Sequence, residues 1–552
     1  MDHLDRTSSQ NRVVSDYVLQ PSDRSVFWML TGLGGAAMAY FLFSWFQLPA
    51  WGQHPFVMVV LFAILAVFLI NNLGRWWILL SMKRPRPTPA TPGRKVAAVT
   101  TFVPGIEPLE LLEQTLKALV ALDYPHDTWV LDEGNDDRVK QLCAAVGAIH
   151  FSRLHYLHYQ TEVGMFRKAS KHGNYNAWLH EVGFERYDIM AAFDPDHVPD
   201  RVFLSKVLGY FDDLKIGYVQ APQVYSNQQA SFIARGAAEE TYDFYSSVEM
   251  ACYGKGFPLI IGCHNTHRLC ALHECGGFAS HDADDLLLTL LYHSRGWQGV
   301  YVPEVLAWRL APVDWPTYLN QQRRWTRSVL DIKLRIAPSV ARNLPPTSAL
   351  LNALHGINYV HRSIVFPIAM FLVALMLVLG ESVDVTTAET IVSGMFTILM
   401  LHIWERYRQQ FYLNGKLEQG FHWRARTVAI REMALSAGGI HRRARQPPVS
   451  LCDNPEGGVL SSLVCIMATR DHPRGDGTRV GNRARAPWDH SCYGSVLCRG
   501  DCRCDVESDG HRMEVDGEKN REAVTPPSRG TSYDRPCAST ALLTKSNPQK
   551  CF

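Results

Sequence analysis

The chain has 552 residues with 47% hydrophobic content, enough for two or three domains and a large buried core. Its formal net charge of +2 gives no support to nucleic-acid binding. Five of the 13 cysteines (Cys143, Cys252, Cys263, Cys270, Cys275) are scattered through the body and the other eight crowd the last hundred residues, a sparse body pattern that suits a reducing compartment.

Residues 26–46 and 56–74 contain no charged side chain, and each run is long enough to span a bilayer. The joint between them, QLPAWGQH, is too short for a domain. Residues 25–80 therefore read as a transmembrane hairpin rather than a cleaved signal peptide, preceded by a short segment, 1–24. The uncharged runs 363–380 and 390–404 form a second hairpin within 359–412. Lys83, Arg84, Arg86, Arg94 and Lys95 follow the first hairpin, whereas ESVDVTTAE separates the second pair of spans. The positive-inside rule then puts both hairpin loops outside and the body between them in the cytosol, as in a multi-pass protein of the inner or plasma membrane.

After the proline-rich linker KRPRPTPATPGR, short apolar runs alternate with helical patterns. This predicts an α/β domain over 83–312: a mostly parallel sheet with helices on both faces, inserted between the transmembrane helical hairpins. The predicted strands are 96–103, 128–132, 154–159, 187–194 and 216–222; the predicted helices include 109–122, 174–182 and 286–293. In such sheets ligands bind beyond the carboxyl ends of the strands, so acidic residues there carry the most weight. Asp132 ends one strand, and Asp194 and Asp196 end another in AAFDPDHVPD. No glycine-rich phosphate loop is present, and a divalent cation held by Asp-x-Asp is another way to bind a diphosphate. A third cluster, HDADDLLLTLL, sets Asp284 and Asp285 at the start of an apolar helix. One of the two can cap the helix, and the other, kept ionised by the same terminus, can act as a general base.

These motifs, in this order, resemble the processive family-2 glycosyltransferases, the membrane group of cellulose, chitin and hyaluronan synthases. The resemblance runs from about residue 20 to about 430, through LDEG, KHGNYN, FDPDHVP, VQAPQ, GGF, DADDLLLTLL, GW and QQRRW. It implies a GT-A-type fold, a nucleotide-sugar donor, Mg2+ or Mn2+, a glycan acceptor and inversion at the anomeric carbon. By position it implies that Asp132, Lys171 and Gln220 bind donor, that Asp194 and Asp196 bind metal and diphosphate, and that Asp285 is the base. Glu133 departs from a usual second aspartate, Asp284 from the glutamate of TED, and LIIGCHNTHR from an FFCGS-like stretch that touches acceptor. Acceptor identity and linkage are the features these departures put in question.

QQRRW completes the set, within an amphipathic interface region 313–345. On a helix Gln321, Arg324 and Trp325 share one face. Arg324 with Arg323 suits departing diphosphate, because the planar guanidinium matches phosphate oxygens, and Trp325 can stack on a sugar ring. By resemblance Gln321, Gln322, Arg323, Arg324 and Trp325 form the acceptor and diphosphate end of the site. Four spans are few for a polysaccharide path. Further helices, a homo-oligomer or accessory export subunits, or a short or lipid-linked product are the alternatives, beside a catalytically inactive membrane scaffold. The tail, placed at 413–552, loses all apolar periodicity after about residue 443 and is expected to be disordered or aberrant.

Overall fold

The computed structural model describes residues 12–360, 365–380 and 383–429. Its central sheet is built from β1 (Val96–Phe102), β2 (Asp127–Asp132), β3 (Ile149–Phe151), β4 (Ile189–Phe193), β5 (Ile216–Gln220), β6 (Asn265–Arg268) and β7 (Gln298–Tyr301). In space the strands run β7-β5-β6-β4-β1-β2-β3. The pairs β1 with β2, β1 with β4, β2 with β3 and β5 with β7 are parallel, while β6 is antiparallel to both β4 and β5. The sheet is therefore mostly parallel, as the alternating pattern implies.

The helices that position the site are α1 (Pro21–Phe46), α2 (Pro55–Leu79), α3 (Leu109–Val120), α4 (Lys171–Trp178), α5 (Phe232–Asp243), α6 (Asp284–Ser294), α7 (Trp315–Asp331), α8 (Phe366–Leu379) and α9 (Ala388–Arg408). Side chains alternate across a strand. Along β1, Val96, Ala98 and Phe102 enter a core with Leu112 and Leu116 of α3, while Ala97 and Val99 enter a second core with Tyr175 and Trp178 of α4. Apolar residues at both parities give a sheet covered on both faces.

α1 and α2 are long and apolar enough to cross a membrane, and α8 contributes a shorter apolar helix from Pro367. α9 is patterned inside out: Thr390, Ser393 and Thr397 are buried, while Ile391, Met395, Ile398 and Leu399 are exposed. Thr397 Oγ1 donates to the Ala37 carbonyl of α1 at 3.0 Å. Where these helices meet the domain, Asp243 at the end of α5 receives Arg75 of α2 at 3.2 Å and Arg408 of α9. One apolar cluster joins Leu286 and Leu287 of α6 and Val329 of α7 to Trp76 of α2 and Trp404 of α9.

Three strands, β3, β6 and β7, were not among the predicted elements, and 154–159 is not a strand. Its last residues form a tight turn, Leu157–Tyr159, with Leu157 85% exposed. The cause is Arg153, fully buried, whose guanidinium donates to the carbonyls of Tyr159, Phe166 and Arg167. A buried guanidinium must be saturated with acceptors, and the chain coils around it instead of extending. The linker also does more than connect: Lys83–Pro85 pairs antiparallel with Ser15–Tyr17. Residues 413–429, placed with the tail by sequence, pack on α5: Val428 is buried, and Arg424 Nη1 lies 3.2 Å from Glu239. The remainder of the tail and residues 1–11 lie outside the described residues.

Candidate active site

The carboxyl end of β4 delivers Asp194 and Asp196. Pro195 between them is fixed through its carbonyl, which accepts from Thr115 Oγ1 of α3 at 2.7 Å. Phe193 is held in the same way by Tyr175 Oη at 3.1 Å. Lys171, the first residue of α4, sets its Nζ 2.6 Å from Asp194 Oδ1. Asp196 Oδ1 accepts from His197 Nδ1 at 2.8 Å, and its Oδ2 lies 3.6 Å from Arg309 Nη2. Burial alone would raise the Asp194 carboxyl, but Lys171, then His197 and Arg309, hold it well below the usual carboxylate range. Asp196 is likewise held down, against burial, by His197 and Arg309.

α4 is placed by KHGNYN. Ser170 Oγ caps the helix through the Gly173 N–H at 3.2 Å. Asn174 Nδ2 donates to the Leu131 carbonyl at 3.0 Å, and Asn176 donates to and accepts from the Phe278 backbone at 2.9 and 2.8 Å. The motif thus joins the ends of β2 and β4 to the GGF turn. A Cβ on Gly173 would meet the Arg167 carbonyl at 2.3 Å, which accounts for the glycine.

Asp284 and Asp285 open α6. Asp285 Oδ2 accepts from the Gly262 N–H at 2.5 Å and Oδ1 from its own Leu286 N–H at 2.7 Å. Burial raises the Asp285 carboxyl while these two amides and Lys171 draw it back. Asp284 is pushed up to about 7 by burial, with Asp285 and Asp194 adding to the rise and Lys171 opposing it. Lys171 is in turn held above its usual range, against burial, by Asp194 and Asp284. Lys171 therefore sits among Asp194, Asp284 and Asp285. Of the adjacent pair, Asp285 accepts from two backbone amides and Asp284 from one, the Asp285 N–H at 3.0 Å, and such donors favour an ionised carboxylate.

The antiparallel strand β6 explains why the segment before it belongs to the site. Asn265 pairs with Ala192 of β4 and with Gln220 of β5, so the turn Gly262–His264 falls at the carboxyl ends of both. Gln220 holds this turn: its Oε1 accepts from the Ile261 N–H at 3.1 Å and its Nε2 donates to the carbonyls of Ala221 and Cys263 at 2.7 and 3.4 Å. Gln220 is fully buried. It acts through the turn rather than by lining an open face.

Asp132 is also fully buried. Its oxygens accept from the Gly134 and Asp136 N–H groups at 2.9 and 2.5 Å and lie 3.1 Å from His150 Nε2. Asp132 therefore shapes the turn at the end of β2. Glu133 has a clear use in place of aspartate, since it pairs bidentately with Arg153 at 2.7 and 3.0 Å.

QQRRW lies within α7, whose first turn is capped by Asp314 accepting from Thr317 N–H at 2.8 Å. Gln322 faces inward, 3.5 Å from Glu240 Oε2. Gln321 and Trp325 are half-buried, and Arg323 and Arg324 are exposed. The far end of α7 is tied to the segment preceding Asp284: His281 Nε2 lies 3.1 Å from Asp331 Oδ2, both residues buried.

Sequence reasoning passed over three members of the site. Arg309 reaches Asp196 from a strand, Ala307–Arg309, that pairs with Val198–Pro199 and Val224–Tyr225. His197 bridges to Asp196, and the adjacency DH was the available signal. Glu107, accepting from Val103 N–H at 3.0 Å, is pushed up to about 7 by burial, with Asp194 and Asp196 adding to the rise. No spacing pattern links it to them. Asp194, Asp196 and His197 each offer one ligand atom, all within 4.8 Å of one another.

Residues 97–328 match the family described as Glycosyltransferase like family 2. The chain is similar to a probable glucomannan 4-beta-mannosyltransferase 4 of Oryza sativa subsp. japonica, 25% identical over 362 residues that cover 60% of this chain and 65% of that protein. It is also similar to the cellulose synthase catalytic subunit (UDP-forming) of Xanthomonas axonopodis pv. citri, 28% identical over 305 residues, 53% of this chain and 40% of that one. The matches thus span 40% to 65% of these relatives' length. A mannosyltransferase, PcManGT from Pyrobaculum calidifontis in complex with GDP-Man and Mn2+, aligns with a TM-score of 0.44 at 16% identity, covering 69% of this chain and 98% of that one. Residues 97–328 thus form a domain that matches glycosyltransferase family 2, and the chain is similar to cellulose synthases and glucomannan mannosyltransferases.

Proposed function

We propose that the chain is a membrane-embedded, inverting glycosyltransferase that moves a hexose from a UDP-hexose donor onto a growing β-linked polysaccharide. The observation that carries this reading is the 2.6 Å contact of Lys171 with Asp194, with Asp284 and Asp285 close enough to perturb the same ammonium. Three chain-distant motifs, KHGNYN, FDPDHVP and DADD, meet beyond the strand ends.

The donor set of Asp194 and Asp196 fits a hard divalent cation, Mg2+ or Mn2+, and already attracts the Lys171 cation. Bound there, such an ion supplies positive charge against the donor diphosphate. Lys171 binds the same diphosphate by charge-assisted hydrogen bonds, and the exposed Arg323 and Arg324 of α7 hold it as it departs. Asp132 and Gln220 act on the donor side through the turns they fix. Trp325 stacks on the acceptor sugar, and Gln321 shares its helix face. Asp285 takes the acceptor hydroxyl proton as that oxygen bonds to the anomeric carbon; the bond from that carbon to the phosphate oxygen breaks, and the diphosphate leaves from the opposite side, inverting the centre.

The inside-out pattern of α9 and the exposed apolar faces of α1, α2 and α8 support a bilayer around these helices, since polar side chains hidden between helices with Ile, Met and Leu outward suit lipid. The glycan acceptor, the lipid bilayer, and either a second copy of the chain or export subunits are the partners this reading requires. Membrane vesicles carrying the protein, given labelled UDP-hexoses with Mn2+, should yield long alkali-stable polymer. Labelled lipid would assign the short, lipid-linked product instead, and absence of any transfer or donor hydrolysis would leave the inactive scaffold.

A further inference from the structure

A second group of potential ligands, of different chemistry, shares His197 with the acidic set Asp194, Asp196 and His197. His197, Cys263 and His264 are all buried, and each offers one ligand atom within 4.8 Å of the others. His197 Nδ1 faces Asp196 Oδ1 at 2.8 Å, so it carries the proton and leaves Nε2 with a lone pair. That Nε2 is buried and has no hydrogen-bond partner. Such an orphan calls for an explanation. His264 Nε2 faces the carbonyls of Ala221 and Pro222 at 3.0 and 3.1 Å, which fixes its proton there and leaves Nδ1 as the acceptor, 3.5 Å from Cys263 Sγ. The two rings lie 5.4 Å apart, and His264 takes a left-handed backbone, φ 44°, rarely adopted by a residue with a Cβ.

Both histidines thus donate one ring N–H to a carboxylate or a backbone carbonyl; the other nitrogen has no partner in His197 and meets Cys263 Sγ in His264. Metal-binding histidines are held in this way. Two imidazoles and one thiol are a soft to borderline set, suited to zinc-class ions and poorly suited to Mg2+ or Mn2+. We propose that His197, Cys263 and His264 form a binding site for a zinc-class divalent cation, separate in ligand chemistry from the Asp194 and Asp196 pair. Three protein ligands leave one coordination position open.

The site would join two segments the reaction depends on. His197 follows Asp196 directly and is hydrogen-bonded to it, while Cys263 and His264 follow Gly262, whose N–H is held by Asp285. A cation there fixes the loop of Asp196 to the turn that orients Asp285.

The test uses the full chain in detergent micelles, with excess Mg2+ present and Co2+ as the probe. The expected result is one equivalent of bound Co2+ with a thiolate charge-transfer band and tetrahedral visible bands, displaced by Zn2+ and unaffected by further Mg2+. Cys263→Ser should abolish the charge-transfer band, and His264→Gln should weaken Co2+ binding at least about tenfold. Because the chain has other thiols, a band undiminished in both variants, or no thiolate band in the unaltered protein, would overturn the proposal. If one variant fails to elute as folded protein, the other decides by the same criterion.

Discussion

Lys171 Nζ lies 2.6 Å from Asp194 Oδ1, so the ammonium at the start of α4 occupies the first carboxylate of the Asp-Pro-Asp segment. In the proposed reaction this contact places a cation beside the donor diphosphate. Replacing Lys171 by Met removes one charge-assisted hydrogen bond to donor and one cation competing for Asp194. UDP affinity should fall about tenfold to hundredfold at saturating Mn2+, in line with ~1.5–3 kcal/mol for a charged hydrogen bond. Mn2+ alone should bind the variant at least as tightly as the parent. Calorimetric titration of each ligand checks both.

The buried contact between His281 and Asp331, 3.1 Å, holds α7 against the segment leading to Asp284. His281→Ala removes one partner of the buried Asp331 carboxylate, which keeps Arg335 Nη1 at 3.3 Å, and should cost about 0.5–1.5 kcal/mol of stability, the usual net worth of one hydrogen bond. Because α7 carries Arg324, assigned to the departing diphosphate, and Trp325, assigned to the acceptor, turnover and UDP affinity should both drop. Denaturant midpoints and steady-state transfer assays separate the two effects.

Gly262 adopts φ 68°, and a Cβ there would meet Gln223 Nε2 at 1.9 Å. Gly262→Ala should destabilise the turn by about 1–3 kcal/mol through backbone strain, beyond the displacement of Gln223 from the Ile261 carbonyl. Asp285 loses one of its two amide donors as the turn shifts. Transfer should therefore fall further than Mn2+ binding, measured on the same preparation.

Asp284 predicts a pH effect. Its folded carboxyl is pushed up to about 7 from an ordinary 3.8, mainly by burial, so its stabilising contribution is complete below the ordinary value and is lost as pH rises through about 7. Metal-free protein should show a thermal midpoint that declines between about pH 4 and pH 7, and Asp284→Asn should flatten that decline. A parallel decline in the variant would remove Asp284 as its source.

Much of the fold was legible because a sheet buried on both faces needs continuous apolar runs: VAAVTTF, IMAAF and IGYVQ each announce a strand. Asp194, Asp196 and Asp285 were legible for a related reason, as acids abutting apolar elements at strand or helix ends. The three- and four-residue strands β3, β6 and β7 were too short to show a period, and β6 is NTHR, a polar stretch. Missing β6 hid the most consequential placement, the Gly262–His264 turn beside Asp194. Asp132 reads as a candidate site residue from its strand-end position and Gln220 from VQAPQ, but their saturation by backbone groups depends on turns that no residue pattern displays. LHYLHY failed because the acceptors demanded by buried Arg153 overrode its alternation.

The central claim is that Asp285 takes the acceptor proton in a pocket where Lys171, Asp194 and Asp196 hold the donor. Transfer of labelled hexose by vesicles carrying Asp285→Asn, compared with UDP binding by the same purified variant, tests it most directly. The account predicts that transfer falls at least about a hundredfold to ten-thousandfold, the usual contribution of a general base, while UDP affinity changes by less than about threefold. Near-normal transfer by Asp285→Asn would contradict it.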